Sequence, residues 1–170
     1  MNAAAKKTPR LGRRLLVGPT EGWKPYALLT LFCCILFLPG IASLPPLDRD
    51  EARFAQATAQ MLETGDFVDI RFQDQPRHKK PAGIHWLQAA SVTLLSDVAA
   101  REIWAYRVPS VIGAWAAVLL TFAIGALLFD RRAAFAAAAM LAASTLLILE
   151  AHQAKTDAVL LACVLALMLP

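Results

Sequence analysis

Three acidic residues, Asp48, Asp50 and Glu51, follow directly on an apolar segment that is long enough to cross a membrane. Charge beside hydrocarbon is costly, so acids at such a boundary are candidate functional residues. A carboxylate here could orient an acceptor nucleophile or take its proton. Helix capping is the structural alternative, because Asp48 and Glu51 have the spacing of a capping box, for which Asp50 is not needed.

A basic cluster follows in the same polar segment, in the stretch QPRHKKPAGIHW. Arg77, Lys79 and Lys80 precede Pro81, a residue that suits the first position of a helix. Lysine ammonium groups beside a helix N-terminus could bind the phosphate of a lipid-linked substrate. In the structural alternative, these side chains reach the lipid headgroups and serve only as membrane anchors.

A further acid, Asp157, lies at the start of the last apolar run and is again a candidate functional residue. Pairing with Lys155 at the membrane end is its structural alternative. The three cysteines, Cys33, Cys34 and Cys163, lie inside apolar runs and form no C-x-x-C pair. The sequence therefore predicts neither a thiolate zinc site nor a disulfide framework.

The candidate residues are separated by long uncharged runs, and the helices that these runs form must position them. About 20 apolar residues cross the hydrocarbon core of a bilayer. The sequence predicts membrane spans at 25–44, 108–129 and 133–149, and the start of a fourth at 158–170. The predicted fold class is therefore all-α, with polytopic transmembrane helices. Because the fourth run stops with the chain, we expect the N-terminal part of a longer membrane protein.

The polar segment 45–107 is predicted to be a long extracytoplasmic loop with interfacial helices at about 48–64 and 81–96. The second of these apolar stretches has only 16 residues. It could nevertheless cross the membrane, which would place the DRR sequence at 130–132 outside. We favour the interfacial arrangement, which keeps this short basic loop in the cytoplasm.

A basic tail at 1–24 precedes the first span. The positive-inside rule places this tail in the cytoplasm and the 45–107 loop outside. The first span has no clear cleavage site and is longer than the apolar core of a signal peptide, so we favour a signal anchor over a cleaved signal. The charged candidates then share the outer face: Asp50, Glu51, Lys79, Lys80 and Asp157.

Three motifs, DEARFAQATAQMLETGDF, KPAGIHW and TDAVL, together resemble the polyprenyl-phosphate-dependent membrane glycosyltransferases of the GT-C class. Within this class the chain looks most like the lipid A aminoarabinose transferases and their relatives among the protein O-mannosyltransferases. The resemblance implies a multi-pass enzyme of the cell inner membrane with its active site on the periplasmic face. It would move a sugar from an undecaprenyl-phosphate donor to lipid A or another envelope glycan or protein.

The resemblance also implies roles for individual residues. The catalytic acids would be Asp50, Glu51 and Asp157. The donor lipid phosphate would be bound by Lys80, Lys79 and Arg77. Aminoarabinose transferases often have a glutamate at a metal site in the position of Lys79, so we expect no such metal site and no certain cofactor. Family members also carry further spans and an outer soluble domain, and we expect this chain alone to be inactive.

A membrane transporter or flippase is the alternative function, in which the outer acids and lysines bind a transported substrate. Such proteins carry charge in the middle of their spans, and the complete spans predicted here carry none. The formal net charge of +4 owes much to the basic tail. It therefore indicates membrane topology rather than a nucleic-acid partner.

Overall fold

The computed structural model describes residues 22–46, 48–77 and 80–169, and it is mostly helical over these ranges. Within them lie seven α-helices: α1 Lys24–Phe37, α2 Arg49–Thr64, α3 Gly83–Leu95, α4 Ile103–Leu128, α5 Arg131–Ala142, α6 Thr145–Ala151 and α7 Asp157–Leu167. The helical fold class predicted from the sequence is confirmed. Most of the basic tail (residues 1–21) and Lys79 lie outside the described residues.

Helix α4 is the axis of the molecule, with α3, α5, α6 and α7 packed along it. It has 26 residues and is the one unbroken helix of the described ranges that is long and apolar enough to cross a membrane. Helix α7 approaches it closely at Gly113, where a Cβ atom would lie 2.8 Å from the backbone of Val159. The main core therefore consists of small residues packed around larger ones, including Phe37, Ala114, Val118, Phe122, Ala134 and Ala138.

The segment predicted as one span at 133–149 is bent. Helix α5 ends at Ala142 and α6 begins at Thr145, with an angle of 59° between them. Ser144 accounts for the break, because its backbone is extended and its hydroxyl caps α6 by accepting the N–H of Leu147. By length and composition the two helices together could form a broken span or a re-entrant segment.

The segment predicted as a span at 25–44 is helical only as far as Phe37. Turns follow through Pro39 and Gly40, and the glycine has a positive φ of 90°. The 14 residues of α1 are apolar but fewer than the roughly 20 that cross a bilayer core as a straight helix. The start of α1 lies beside the start of α5, since Arg131 donates to the carbonyl oxygen of Gly22 at 3.4 Å.

The first predicted loop helix is present as α2, capped by Asp48 and terminated by Gly65 in the left-handed region. The second is α3, which begins at Gly83, so Pro81 precedes the helix rather than occupying its first position. Between them lies a hairpin of β1 Arg71–Phe72 and β2 Gln75–Pro76, which the sequence did not predict. A short 3-10 helix, Val98–Ala100, separates α3 from α4.

Candidate active site

A buried ion pair lies at the centre of the candidate site. Arg107 of α4 binds Glu51 of α2 through two parallel hydrogen bonds, Nε–Oε1 at 2.7 Å and Nη2–Oε2 at 3.2 Å. Neither side chain has exposed surface. The remaining N–H groups of Arg107 donate to the carbonyl oxygens of Ile41, Leu44 and Pro45. All five donors of the guanidinium are therefore used inside the protein.

Glu51 also binds the segment that follows α6. Its Oε1 accepts the backbone N–H of Ala154 at 3.0 Å. His152, two residues earlier, bonds through Nε2 to the carbonyl oxygen of Pro39 at 2.8 Å. The buried pair thus joins four segments that are distant in sequence: the turn after α1, helix α2, helix α4 and residues 152–155. In this arrangement the carboxylate of Glu51 holds the segments together and is not accessible to solvent.

Asp50 is adjacent to Glu51 in sequence but is accessible. Its side chain is 53% exposed and lies 3.6 Å from the guanidinium of Arg53. Arg77 is close enough for its charge to act on that of Asp50. Of these two neighbouring acids, Glu51 is therefore buried and Asp50 is accessible beside two cations.

Lys155 connects the first acids to the region of Asp157. Its Nζ donates to Oδ2 of Asp48 at 2.6 Å, and this hydrogen bond lowers the pKa of Asp48. Burial opposes the charged form of Lys155, but the hydrogen bond and charge of Asp48 outweigh it and raise the pKa of Lys155. Asp157 is exposed at the first position of α7. The structure thus brings Asp157 to the same end of α4 as Asp48. The ion pair of Lys155 is with Asp48 and not with Asp157, which was the structural alternative considered from the sequence.

Of the predicted basic cluster, Arg77 and Lys80 lie among the described residues, and Arg77 packs on α2. The guanidinium of Arg77 is 4.8 Å from the centre of the Phe54 ring, a cation–π contact. Lys80 is exposed, lies three positions before the start of α3 and forms no ion pair with a described residue. An accessible carboxylate, Asp50, beside the guanidinium groups of Arg53 and Arg77 suits a reaction in which a nucleophile attacks next to an anionic leaving group.

A buried polar cluster locks α2 against α3. The hydroxyl of Thr58 donates to Oε1 of Gln88 at 2.7 Å and lies 2.8 Å from Nδ1 of His85. Because the only hydroxyl proton is used on Gln88, Nδ1 of His85 carries the proton of that second bond. The imidazole stacks on Phe54, and burial, with the charge of Arg77, lowers the pKa of His85 to about 4. His85 is therefore neutral at pH 7 and fixes the spacing of the two helices.

The reasoning from sequence missed Arg107, which it used only to mark the end of an apolar run. A signal was present, because an arginine beside Pro109 at the head of a 22-residue uncharged stretch needs a buried partner. Thr58 and Gln88 carried no comparable signal. Among the described residues, no group of three or more His, Cys, Asp or Glu side chains is placed to hold a metal ion.

Comparison with known proteins identifies a family that matches this chain. Residues 79–169 match the family model described as dolichyl-phosphate-mannose-protein mannosyltransferase. The chain is also 28% identical over 122 residues to the undecaprenyl phosphate-alpha-4-amino-4-deoxy-L-arabinose arabinosyl transferase of Yersinia pestis (strain Pestoides F), covering 72% of this chain and 21% of the relative. No solved structure gives a significant match.

A second relative extends the similar region. The arabinosyl transferase 1 of the same description from Pseudomonas fluorescens is 28% identical over 139 residues, or 81% of this chain and 24% of the relative. The chain thus spans about a fifth to a quarter of the length of these relatives. The resemblance to the GT-C glycosyltransferases is confirmed. Since the family model covers more than half of the chain, the chain belongs to the dolichyl-phosphate-mannose-protein mannosyltransferase family.

Proposed function

We propose that this protein is a membrane glycosyltransferase that moves a sugar from an undecaprenyl- or other polyprenyl-phosphate donor to an extracytoplasmic acceptor. Lipid A is the acceptor we favour, and another envelope glycan or protein is the alternative. Family membership and the names of the relatives support the class of reaction and of donor. The observation that carries the proposal is the accessible Asp50 beside a fully buried Glu51–Arg107 pair.

The proposed reaction releases a lipid phosphate. Lys80 and Arg77 would stabilise the negative charge that develops on this leaving group, which is electrostatic catalysis. Lys79 belongs to the same basic cluster in sequence. Asp50 would orient the acceptor hydroxyl or take its proton. If the acceptor is a phosphate, it is already ionised, and Asp50 then acts by positioning and by stabilising positive charge at the sugar.

The two other acids have different parts in the proposal. Glu51, together with Arg107, is a positioning residue that holds the start of α2 so that Asp50 stays at the surface. Asp157 is a second acid at the same end of α4, and in the proposal it would contact the acceptor or the sugar. We assign the two acids different roles because of their burial: Glu51 has no exposed surface, whereas Asp157 is exposed and can contact a substrate.

We propose a multi-pass protein of the cell inner membrane with the candidate site on the periplasmic face and the N-terminus in the cytoplasm. Helix α4, at 26 residues and about 39 Å, would separate the two sides. The contact between Gly22 and Arg131 lies at its C-terminal end, and the Asp48–Lys155 ion pair lies at the other. Helices α2 and α3 would then be interfacial on the periplasmic side.

The test is sugar transfer from a polyprenyl-phosphate donor in membranes that contain the complete protein. Asp50→Asn and Lys80→Ala are each expected to reduce transfer by about 100-fold or more, because each removes charge stabilisation at the reacting groups. Asp69→Asn is the matched control, since Asp69 is an exposed acid (43%) paired with Arg71 as Asp50 is with Arg53. Lys24→Ala, at the start of α1, is the control for the lysine.

The controls are expected to retain transfer within about twofold of the wild type, as surface substitutions usually have little effect. If Asp50→Asn and Lys80→Ala insert normally and match the wild type, the assignment of the site is wrong. If the wild type transfers no sugar from any polyprenyl-phosphate donor but moves a lipid-linked sugar between leaflets, the protein is a flippase and the proposed reaction is wrong.

A further inference from the structure

A cavity of about 210 Å³ lies against the face of α2 that is turned away from Asp50. Pro46, Arg101, Ile103 and Tyr106 form one side of it. The α2 side is formed by Ala52, Ala55, Gln56 and Ala59. With 3.6 residues per turn, these positions lie opposite the face that carries Asp50 and Phe54. The cavity is therefore separate from the candidate active site.

The hydroxyl of Tyr106 is the first indication that the cavity takes a ligand. Tyr106 is only 1% exposed, and its oxygen has no hydrogen-bond partner among the described residues. Tyr106 and Arg101 line the same cavity. Leaving a buried hydroxyl without a partner costs free energy, so a bound group that accepts or donates a hydrogen bond here is favoured.

Arg101 gives the cavity its charge. Its guanidinium donates to Oε1 of Gln56 at 3.3 Å and pairs with Glu63. These contacts use two of its five N–H groups, and three remain for a ligand. Gln56 accepts through its oxygen and retains its amide N–H groups as donors. The polar groups of the cavity are thus mainly donors, which suits a ligand that is rich in acceptor oxygens and negatively charged.

We propose that this cavity binds the phosphate of a lipid headgroup. Arginine with additional N–H and O–H donors is well suited to phosphate. The cavity lies at the start of α4 beside Trp104 and Tyr106, and aromatic residues of these types gather at the level of the headgroups. Pro46, Ile103 and the alanines would contact the carbon atoms next to the phosphate. The inference is independent of the proposed sugar transfer.

Binding is measured with the full chain in a detergent that contains no phosphate. The chain is titrated with a short-chain phosphatidic acid, with the diacylglycerol of the same chains, and with inorganic phosphate. Bound lipid is counted by native mass spectrometry, and affinity is measured by calorimetry. We expect one saturable phosphatidic acid site, with affinities for diacylglycerol and for inorganic phosphate that are lower by about tenfold or more, since each lacks half of the contacts.

Two substitutions test the residues. Tyr106→Phe removes only the hydroxyl and is expected to weaken phosphatidic acid binding by about tenfold, the effect of one hydrogen bond to a charged group. Arg101→Gln is expected to weaken it further, because it removes the cation. Tyr26→Phe and Arg71→Gln are matched controls, as Arg71 is an exposed arginine (47%) paired with one acid, like Arg101 (50%).

Three results would overturn the proposal. Equal binding of diacylglycerol and phosphatidic acid would exclude phosphate recognition. Equal binding of inorganic phosphate would assign the cavity to the free ion instead of a lipid. Unchanged affinity in Tyr106→Phe, which preserves the packing of the aromatic ring, would exclude this cavity even if Arg101→Gln fails to fold.

Discussion

At the scale of single residues, the Glu51–Arg107 pair is the contact that joins the segments around the candidate site. A buried ion pair adds little stability over a well-packed apolar pair, but removing one partner leaves an uncompensated buried charge. The bonds of this pair reach three backbone carbonyls and one N–H. Loss of either side chain therefore affects every segment that positions Asp50.

We predict that Arg107→Gln lowers the free energy of unfolding by about 3–5 kcal/mol, because it leaves the Glu51 carboxylate buried without its counter-ion. Glu51→Gln is expected to have a comparable effect, and the double variant should lose less than the sum of the two. Chemical unfolding in detergent, followed by circular dichroism, measures all three. Arg71→Gln, at an exposed ion pair, is the control and should change stability by about 1 kcal/mol or less.

Equal stability of Arg107→Gln and Arg71→Gln would show that the buried pair contributes nothing. Where Arg107→Gln does not accumulate as folded protein, Arg107→Lys serves instead. Lysine keeps the charge but cannot make the two parallel bonds to Glu51, so an intermediate loss is expected.

His85 predicts a pH dependence of stability. Its pKa is about 4 in the folded protein, against 6.5 ordinarily. The unfolded chain therefore binds a proton between these values that the folded chain does not. Stability from this group is fully present above pH 6.5 and is lost as the pH falls toward 4. Arg77, the cation nearest the imidazole, stays charged across this range.

The measurement is the free energy of unfolding of wild type and His85→Gln, by chemical unfolding in detergent, from above pH 6.5 down to pH 4. Glutamine can still bond to Thr58 but does not titrate. We expect the wild type to lose stability more steeply than the variant, by up to about 3 kcal/mol over the whole interval. Parallel curves would show that His85 does not bind its proton differently in the two states.

At the scale of elements, the ends of α2 were predictable from the sequence. The hairpin between α2 and α3 and the helix break at Ser144 were not. Asp48 and Gly65 act locally, through a side-chain cap and a left-handed backbone, so the sequence alone indicates them. The hairpin turn places Gln73 at a φ of 56° without a glycine, held by two bonds of 2.9 Å to the amide of Gln60. Such a tertiary constraint leaves no local signal. The break at Ser144 was hidden by the apolar run around it.

Helix packing predicts a difference between two glycines. In Gly113→Ala the new methyl group would meet the α7 backbone at 2.8 Å, and backbone cannot move aside as a side chain can. We expect a loss of about 1–3 kcal/mol in the free energy of unfolding. Gly83→Ala is the control, since nothing lies within 4 Å of its Cβ position and alanine favours a helix. Equal stability of both variants in detergent would contradict the close contact of α4 and α7.

At the scale of the whole molecule, the charged residues of the site come together from distant parts of the chain. Arg107 and Glu51 are 56 positions apart, and Lys155 and Asp48 are 107 apart. From the sequence we expected the acids, the lysines and Asp157 on one face, on the basis of apolar runs and the positive-inside rule. The pairing of particular side chains depends on how α4, α6 and α7 pack, which periodicity does not specify.

The proposed membrane orientation predicts opposite accessibility at the two ends of α4. Single cysteines are placed at exposed Ala99 and at exposed Arg132, in a chain from which the native cysteines have been removed. An impermeant maleimide is expected to label Ala99→Cys in intact spheroplasts and Arg132→Cys only after the membrane is opened. Labelling of both in intact spheroplasts would contradict α4 as a single crossing.

The bonds of Glu51 also fix an order of assembly during synthesis. Arg107 leaves the ribosome before Ala154, which completes the carboxylate's contacts. At roughly 5–20 residues per second, the 47 further residues up to and including Ala154 take roughly 2 to 10 s. During that interval Glu51 can bind Arg107 but not the backbone N–H of Ala154. Each newly made chain therefore passes through a stage in which the carboxylate of Glu51 lacks one of its contacts.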